Sequence, residues 1–205
     1  MKNIKAVIFD LNGVFITSPK LSSRFCQDFG IDETVFLEAL KDVMAQVRKP
    51  DADGAYTYWQ PYFQIWNVQL NETQFLEYWF SAEKENPEMI SIAKKLKEEN
   101  ISLFILSNNL KERSQYYKKY FSFLGTIFKK TYYSWQTGFI KPDRRSYGLV
   151  LQENGLQPDE CVYFDDSQTN VDVAREIGIN AFLFKGSDDV KEKLSKILIS
   201  KYWPV

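Results

Sequence analysis

The chain has 205 residues, of which 44% are hydrophobic, 26% charged and 16% aromatic, and its formal net charge is −1. Those proportions suit a soluble globular protein, and a near-neutral chain lacks the concentrated basic charge that holds phosphate backbones, so no nucleic-acid partner is expected. The sequence contains no histidine, which excludes Ser-His-Asp and Cys-His catalysis and His-ligated zinc together, and leaves carboxylates, lysine, hydroxyls or an oxygen-held metal to do any chemistry.

In chain order, Ala6-Val7-Ile8-Phe9 is a short apolar run that ends abruptly in Asp10, followed by Leu11-Asn12-Gly13-Val14. Buried strands of parallel sheets read as continuous apolar runs, so a first strand is expected here, with Phe15 to Lys20 as a loop broken by Pro19. Leu21 to Pro87 reads as almost wholly helical. Asp32 is placed to cap a helix carrying Phe36, Leu37, Leu40, Val43, Met44 and Val47 at 3.6-residue spacing. Tyr56 to Val68 is dense in aromatics, and Asn71 with Gln74 forms a capping-box pattern ahead of Phe75, Leu76, Trp79 and Phe80. Aromatic residues at helical spacing are read as the core of a small bundle.

After Glu88 the pattern changes. Met89 to Glu99 is an amphipathic helix, and Ile101 to Leu106 a second apolar run ending at Ser107-Asn108-Asn109. A helix near Arg113 to Phe121 and a β-like patch from Thr131 to Trp135 follow. Gly138-Phe139-Ile140-Lys141-Pro142 then precedes a helix with Tyr147, Val150 and Leu151, stopped at Asn154-Gly155. Cys161 to Phe164 is a third run, ending in Asp165-Asp166. A helix around Asn170 to Ile177, a fourth run from Ala181 to Phe184, and a charged helix from Val190 complete the order.

Strands alternating with helices predict an α/β fold, a parallel Rossmann-like sheet with helices on both faces, interrupted after the first strand by an α-helical insert. The expected division is a core of residues 1–15 and 88–205 and an insert of residues 16–87. Right-handed crossovers put all strand carboxyl ends on one edge. Asp10, Ser107 and the Asp165-Asp166 pair therefore collect there, and the insert hangs over them. The two cysteines, Cys26 and Cys161, are too few for a disulfide or zinc framework and read as reduced thiols of a cytosolic protein. No run approaches the ~18 apolar residues of a membrane helix. Met1-Lys2-Asn3-Ile4-Lys5 leads into a stretch too short for a signal-peptide core. A cytoplasmic protein without a membrane partner is expected, its oligomeric state open.

Carboxylates of Asp10, Asp165 and Asp166 brought together repel unless a cation sits among them. Oxygen ligands alone favour Mg²⁺, which suits one or two carboxylates plus a substrate phosphate. Ser107, the amides after it and Lys141 supply donors and one positive charge for phosphate oxygens. A carboxylate nucleophile beside a metal and a lysine describes phosphoryl transfer through an aspartyl-phosphate.

At these residues the chain resembles the haloacid dehalogenase superfamily of hydrolases, in its phosphatase-like branch, with a helical cap inserted after the first motif. The motifs occur in family order: Phe9-Asp10-Leu11-Asn12-Gly13-Val14, Leu106-Ser107-Asn108, Lys141-Pro142, and Tyr163-Phe164-Asp165-Asp166-Ser167 followed by Asn170-Val171. The resemblance covers the core; the insert matches only in position and helical character. It implies Asp10 as nucleophile and Mg²⁺ ligand, the main-chain carbonyl of Asn12 and Asp166 as further ligands, and Asp165 as a ligand or an orienting group behind the metal. It implies that Ser107 and the Asn108 amide hold phosphoryl oxygens of a small phosphorylated substrate. Lys141 would neutralise charge on Asp10 and the phosphate, and Asn170 would order the last loop.

The family usually carries an aspartate at position 12, which protonates the leaving oxygen and later activates water. A carboxamide does neither, and general acid–base catalysis is worth ~10²–10⁴ in rate. Asn12 is thus the mark of a slowed phosphatase, of a phosphate-binding descendant, or of an engineered substitution. Two alternatives accompany the phosphatase expectation. One is a non-catalytic phosphate-binding or interaction protein on the same fold, with the aromatic band as its contact surface. The other is a metal-independent 2-haloacid dehalogenase, against which the intact Asp165-Asp166 pair speaks. In the insert, Arg24, Arg48 and Lys49 are candidates to meet an anionic substrate, weighed against the simpler reading as solvated charges.

Overall fold

The computed structural model describes residues 4–198. Strand β1 (Ala6–Phe9) leads through a two-residue strand, β2 (Ile16–Thr17), into four helices: α1 (Leu21–Phe29), α2 (Glu33–Val47), α3 (Ala55–Ile65) and α4 (Glu72–Phe80). Strand β3 (Lys84–Glu85) opens the remainder, which runs α5 (Pro87–Glu98), β4 (Ser102–Ser107), α6 (Lys111–Tyr120), α7 (Phe123–Ile127) and β5 (Lys130–Tyr133). Then come α8 (Ser134–Thr137), α9 (Arg144–Asn154), a 3-10 turn at Pro158–Glu160, β6 (Cys161–Asp165), α10 (Gln168–Glu176), β7 (Asn180–Leu183) and α11 (Ser187–Ile197). The last residues of the expected core, 199–205, lie outside the described residues.

Five strands form one all-parallel sheet in the order β5-β4-β1-β6-β7. This is the expected Rossmann-like α/β architecture. Successive residues of a strand point to opposite faces, and β1 divides accordingly. Val7 and Phe9 pack with Leu103, Ile105, Val162 and Phe164 under α5, α7 and α11. Ala6 and Ile8 pack with Phe104, Leu106 and Tyr163 under α9 and α10. Because both faces are covered, β1 is buried throughout and has no polar residue until Asp10. From β1 the chain builds outward first to β4 and β5, then returns to add β6 and β7 on the other side. The carboxyl end of β1 is thus the switch point at which open α/β sheets bind ligands.

The four helices of the insert have a hydrophobic cluster of their own, centred on Phe25, Phe36, Trp59, Phe63, Phe75 and Trp79, all buried. Phe36 stacks on Trp59 with ring centres 5.2 Å apart. The two sequence caps are present. Asp32 accepts the N–H of Thr34 at 2.8 Å, and Asn71 and Gln74 exchange hydrogen bonds of 2.9 and 3.0 Å. Leu110, from the loop after β4, joins the insert's cluster, so the insert is seated on the edge where β4 ends. Among the described residues no helix is long and apolar enough to cross a membrane.

Three local readings needed correction. The loop expected at Phe15 to Lys20 contains β2, which pairs antiparallel with β3, Ile16 opposite Glu85 and Thr17 opposite Lys84. Ile16-Thr17 is β-branched but too short to read as a strand, and Lys84-Glu85 has no strand pattern; the two are joined because the insert's entry and exit meet, where Asn86 Nδ2 also donates to the Val14 carbonyl at 3.0 Å. The β-like patch expected through Trp135 stops at Tyr133, because β4 ends at Ser107 and offers no partner beyond it. Ser134 and Trp135 instead begin α8, and Trp135 Nε1 donates to Ser114 Oγ at 3.0 Å. Helix α7, a five-residue element, was not expected from the sequence.

Candidate active site

The parallel register that pairs Phe9 with Phe164 places Asp10 directly beside Asp165, and the Asp10 N–H donates to the Phe164 carbonyl at 2.8 Å. Lys141, from the loop between α8 and α9, inserts between the two carboxylates. Its Nζ lies 2.8 Å from Asp10 Oδ1 and 2.6 Å from Asp165 Oδ2. All three side chains are buried. One ammonium thus serves two carboxylates in a place that water does not screen.

The pair shares that charge unequally. Asp165 also receives the Tyr163 hydroxyl, the Ser167 N–H at 2.8 Å, and Asn170 Nδ2 at 3.0 and 3.1 Å. With both oxygens satisfied, its carboxyl is held below the ordinary range despite its burial, chiefly by the Lys141 charge. Asp10 has fewer donors. Burial pushes its carboxyl up to about 6, with Lys141 opposing the rise and the Asp165 charge adding to it. Asp166 is displaced upward in the same sense, by burial and by Asp165. Oxygens of Asp10, Asp165 and Asp166 all lie within 4.8 Å of one another. Three carboxylates against one lysine leave an excess of negative charge, and an all-oxygen donor set of this kind fits a hard divalent cation such as Mg²⁺.

Gly13 makes room for this cluster. Its φ of +86° is in the region that favours glycine, and a Cβ at this position would overlap Asp166 Oδ2. Gly13→Ala is expected to cost about 1–3 kcal/mol of stability, from left-handed strain and from displacement of Asp166. Thermal melts of Gly13→Ala, Asp166→Ser and the double variant check this, because the double variant should lose less than the sum of the two single losses. Additive losses would show that the Asp166 carboxylate is not what Gly13 accommodates.

Ser107 ends β4 on the same edge, buried. The side chain of Asn108 is committed elsewhere. Its Nδ2 donates to the Lys141 carbonyl at 2.8 Å and its Oδ1 accepts the Lys141 N–H at 2.8 Å. That two-way clasp fixes the main chain from which Lys141 projects. Asn12 also reaches the edge, where its Nδ2 donates to Tyr117 Oη at 2.6 Å and its Oδ1 accepts from Asn109 Nδ2 at 3.3 Å. The structure therefore brings Asp10, Asn12, Ser107, Asn108, Lys141, Asp165 and Asp166 to one edge.

Sequence reasoning missed Asn109, Tyr117, Glu83 and Arg113. Arg113 Nε donates to Glu83 Oε1 at 2.7 Å, both residues lie well inside the protein, and the guanidinium carbon is 5.6 Å from the Tyr117 ring centre. No motif marks them, since Glu83 comes from the turn before β3, Asn109 from the loop after β4 and Arg113 and Tyr117 from α6, and they meet only by packing. In the insert, Arg24 is tied to its own helices, donating to the Tyr78 carbonyl at 2.5 Å and lying 4.0 Å over the Tyr78 ring. Lys49 is exposed, as the simpler reading had it. Arg48 departs from that reading. It is half-buried, its Nε is buried without a hydrogen-bond partner, and it is close enough to Asp10 and Arg113 to feel both charges.

A fold with its nucleophile candidate after the first of five parallel strands, and a helical insert behind it, defines a class. The family model of haloacid dehalogenase-like hydrolases matches residues 4–178, and the chain belongs to that family. It is 23% identical over 222 residues to bifunctional epoxide hydrolase 2 of Sus scrofa, covering 95% of this chain and 39% of that protein. To D-ribitol-5-phosphate phosphatase of Bacteroides thetaiotaomicron it is 28% identical over 71 residues, 35% of this chain and 34% of that protein. The aligned parts thus span about two fifths or less of these curated relatives. Among solved structures, a HAD family enzyme of Bacteroides thetaiotaomicron superposes with a TM-score of 0.80 at 23% identity, over 94% of this chain and 99% of that one. The same enzyme in complex with magnesium and inorganic phosphate superposes with a TM-score of 0.75 at 22% identity, over 89% and 94%.

Proposed function

We propose that the protein is a Mg²⁺-dependent phosphatase that hydrolyses a small phosphorylated metabolite through an aspartyl-phosphate at Asp10. The observation that carries this reading is the buried Asp10–Lys141–Asp165 triad, with Asp166 alongside, at the carboxyl end of the central strand. A relative that acts on a sugar-alcohol phosphate and a structural neighbour holding magnesium and phosphate support it. In this reading residues 1–15 and 88–205 are the catalytic core, and residues 16–87 the cap that covers it.

Asp10 Oδ attacks phosphorus while Lys141 offsets the charge on both partners. Ser107 Oγ and the Asn108 N–H hold phosphoryl oxygens. Asp10, Asp166 and the Asn12 carbonyl would hold Mg²⁺, which supplies charge neutralisation at the phosphoryl group. Asp165, whose oxygens already have donors, anchors Lys141 and the last loop from behind. Arg48 brings the cap's positive charge toward the same place.

The test is release of inorganic phosphate from a panel of phosphomonoesters. Turnover should vanish on chelation of divalent cations and return with Mg²⁺. Metal-independent chloride release from a 2-haloacid would overturn the assignment in favour of dehalogenation, and an inert panel would overturn it in favour of a binding role.

A further inference from the structure

Asn12 lies two residues past the nucleophile candidate, and its side chain is engaged at both ends. Nδ2 donates to Tyr117 Oη at 2.6 Å and Oδ1 accepts from Asn109 Nδ2 at 3.3 Å. Both partners are themselves held. Asn109 Oδ1 accepts the Leu110 N–H at 2.9 Å, and the Asn109 N–H and carbonyl bracket Ser134 Oγ, each at 3.1 Å. The direction of the Asn109 amide is thereby set. Tyr117 is buried beside Arg113, and its hydroxyl oxygen is the acceptor of the Asn12 amide hydrogen. The phenol thus presents a lone pair to position 12, while Asn109 presents a donor. A group that donates with one atom and accepts with the other satisfies both. An amide does this permanently, and it exchanges no proton in the reaction.

Among the described residues, no other ionisable group around Asp10 is placed to take over that task. Lys141 is held by both Asp10 and Asp165, and Asp165 is filled with donors. Asp166 belongs to the carboxylate cluster that would hold the cation. Arg48 and Arg113 carry guanidinium groups, which do not release protons in this range. None of these groups is left as a free general acid beside Asp10.

Resting on the phosphatase reading above, we infer that the site is fitted to phosphoryl donors whose leaving oxygen departs as a stable anion. These are the carboxylate of an acyl phosphate or the enolate or phenolate of an enol or aryl phosphate, in preference to alkyl phosphates. In the first step an O–P bond forms to Asp10, the P–O bond to the leaving group breaks, and the electron pair leaves with that oxygen. Water then attacks phosphorus, the bond to Asp10 breaks, the carboxylate is restored, and the proton of the water passes to phosphate or solvent. For an acyl phosphate the sum is one water consumed and one carboxylate and one dihydrogen phosphate released.

The experiment compares kcat/KM of the intact protein with Mg²⁺ on acetyl phosphate, 4-nitrophenyl phosphate and ethyl phosphate. The expected result is that the alkyl ester is slower than the other two by about 10³-fold or more, the scale of a missing general acid. Acetyl phosphate ahead of the aryl ester assigns the acyl class, and the reverse order assigns the enol or aryl class. Asn12→Asp should raise the ratio of alkyl to aryl turnover by ~10²–10⁴. An alkyl ester within tenfold of the aryl ester, or a ratio that Asn12→Asp leaves unmoved, overturns the inference while the phosphatase reading stands. Inactivity on all three overturns both.

Discussion

Asp10→Asn is expected to lower phosphate release by a factor on the order of 10⁴–10⁶, the loss seen when a covalent nucleophile is removed, while leaving the fold at least as stable. The two halves of this prediction have one cause. Asp10 is buried, and with Lys141 engaged more fully by Asp165, burial has raised its carboxyl to about 6. Near neutral pH the folded protein carries an ionised group that the unfolded chain would ionise more readily, so that charge costs stability. The amide removes the cost and keeps the shape, but it supplies no nucleophilic oxygen. Phosphate assays paired with thermal melts check both halves. Appreciable surviving turnover would exclude Asp10 as nucleophile, and a collapse of the melt would show that its charge is structural.

Lys141→Met has the second largest expected effect, and here stability suffers. The substitution leaves the carboxylates of Asp10 and Asp165 facing each other in a buried place with no positive charge between them. Breaking a buried ion pair on one side costs about 3–5 kcal/mol, or roughly 6–20 °C of melting temperature for a chain of this size. The deficit should depend on pH with a definite sign. In the variant both carboxyls are raised above their unfolded values, so the penalty is fully present above their folded pKa values and disappears as the pH falls through them. Melts of the variant and the wild type at pH 5 and pH 8, without added metal, measure this. A deficit that is equal at both values would attribute the loss to packing rather than to charge.

The clasp between Asn108 and the Lys141 main chain shows how the site tolerates such a concentration of charge. The lysine is aimed by two amide hydrogen bonds to its own backbone, both 2.8 Å, rather than by its carboxylate partners alone. Fixing the base of a long side chain lowers the entropy lost when its tip is confined. A similar division holds at Asp165, which spends its oxygens on neighbours and leaves Asp10 the less satisfied carboxylate. The proposed nucleophile is the one with fewer partners, and this unequal sharing is a property of the assembled site.

Much of the fold is legible in the order of the residues alone. Short apolar runs ending in Asp10, Ser107 and Asp165 announce parallel strands because a strand buried on both faces must be apolar until the sheet edge exposes it. Asp32 and the Asn71–Gln74 pair announce helix starts because capping is satisfied within a few residues. The aromatic spacing of residues 56–80 announces a packed helical insert for the same local reason. What depends on distant segments meeting is not legible in this way. The β2–β3 ribbon joins residues 16 and 85. Tyr117 and Asn109 converge on Asn12 from over 95 residues away in the chain, with separations of 105 and 97. Arg48 has the sequence context of a surface charge and turns inward at the end of α2. Periodicity, caps and strand-end carboxylates are short-range and are written in neighbouring residues. The sharing of one lysine between two aspartates, and the amide held at position 12, follow from packing of residues from 24 to 131 positions apart, which only the tertiary structure decides.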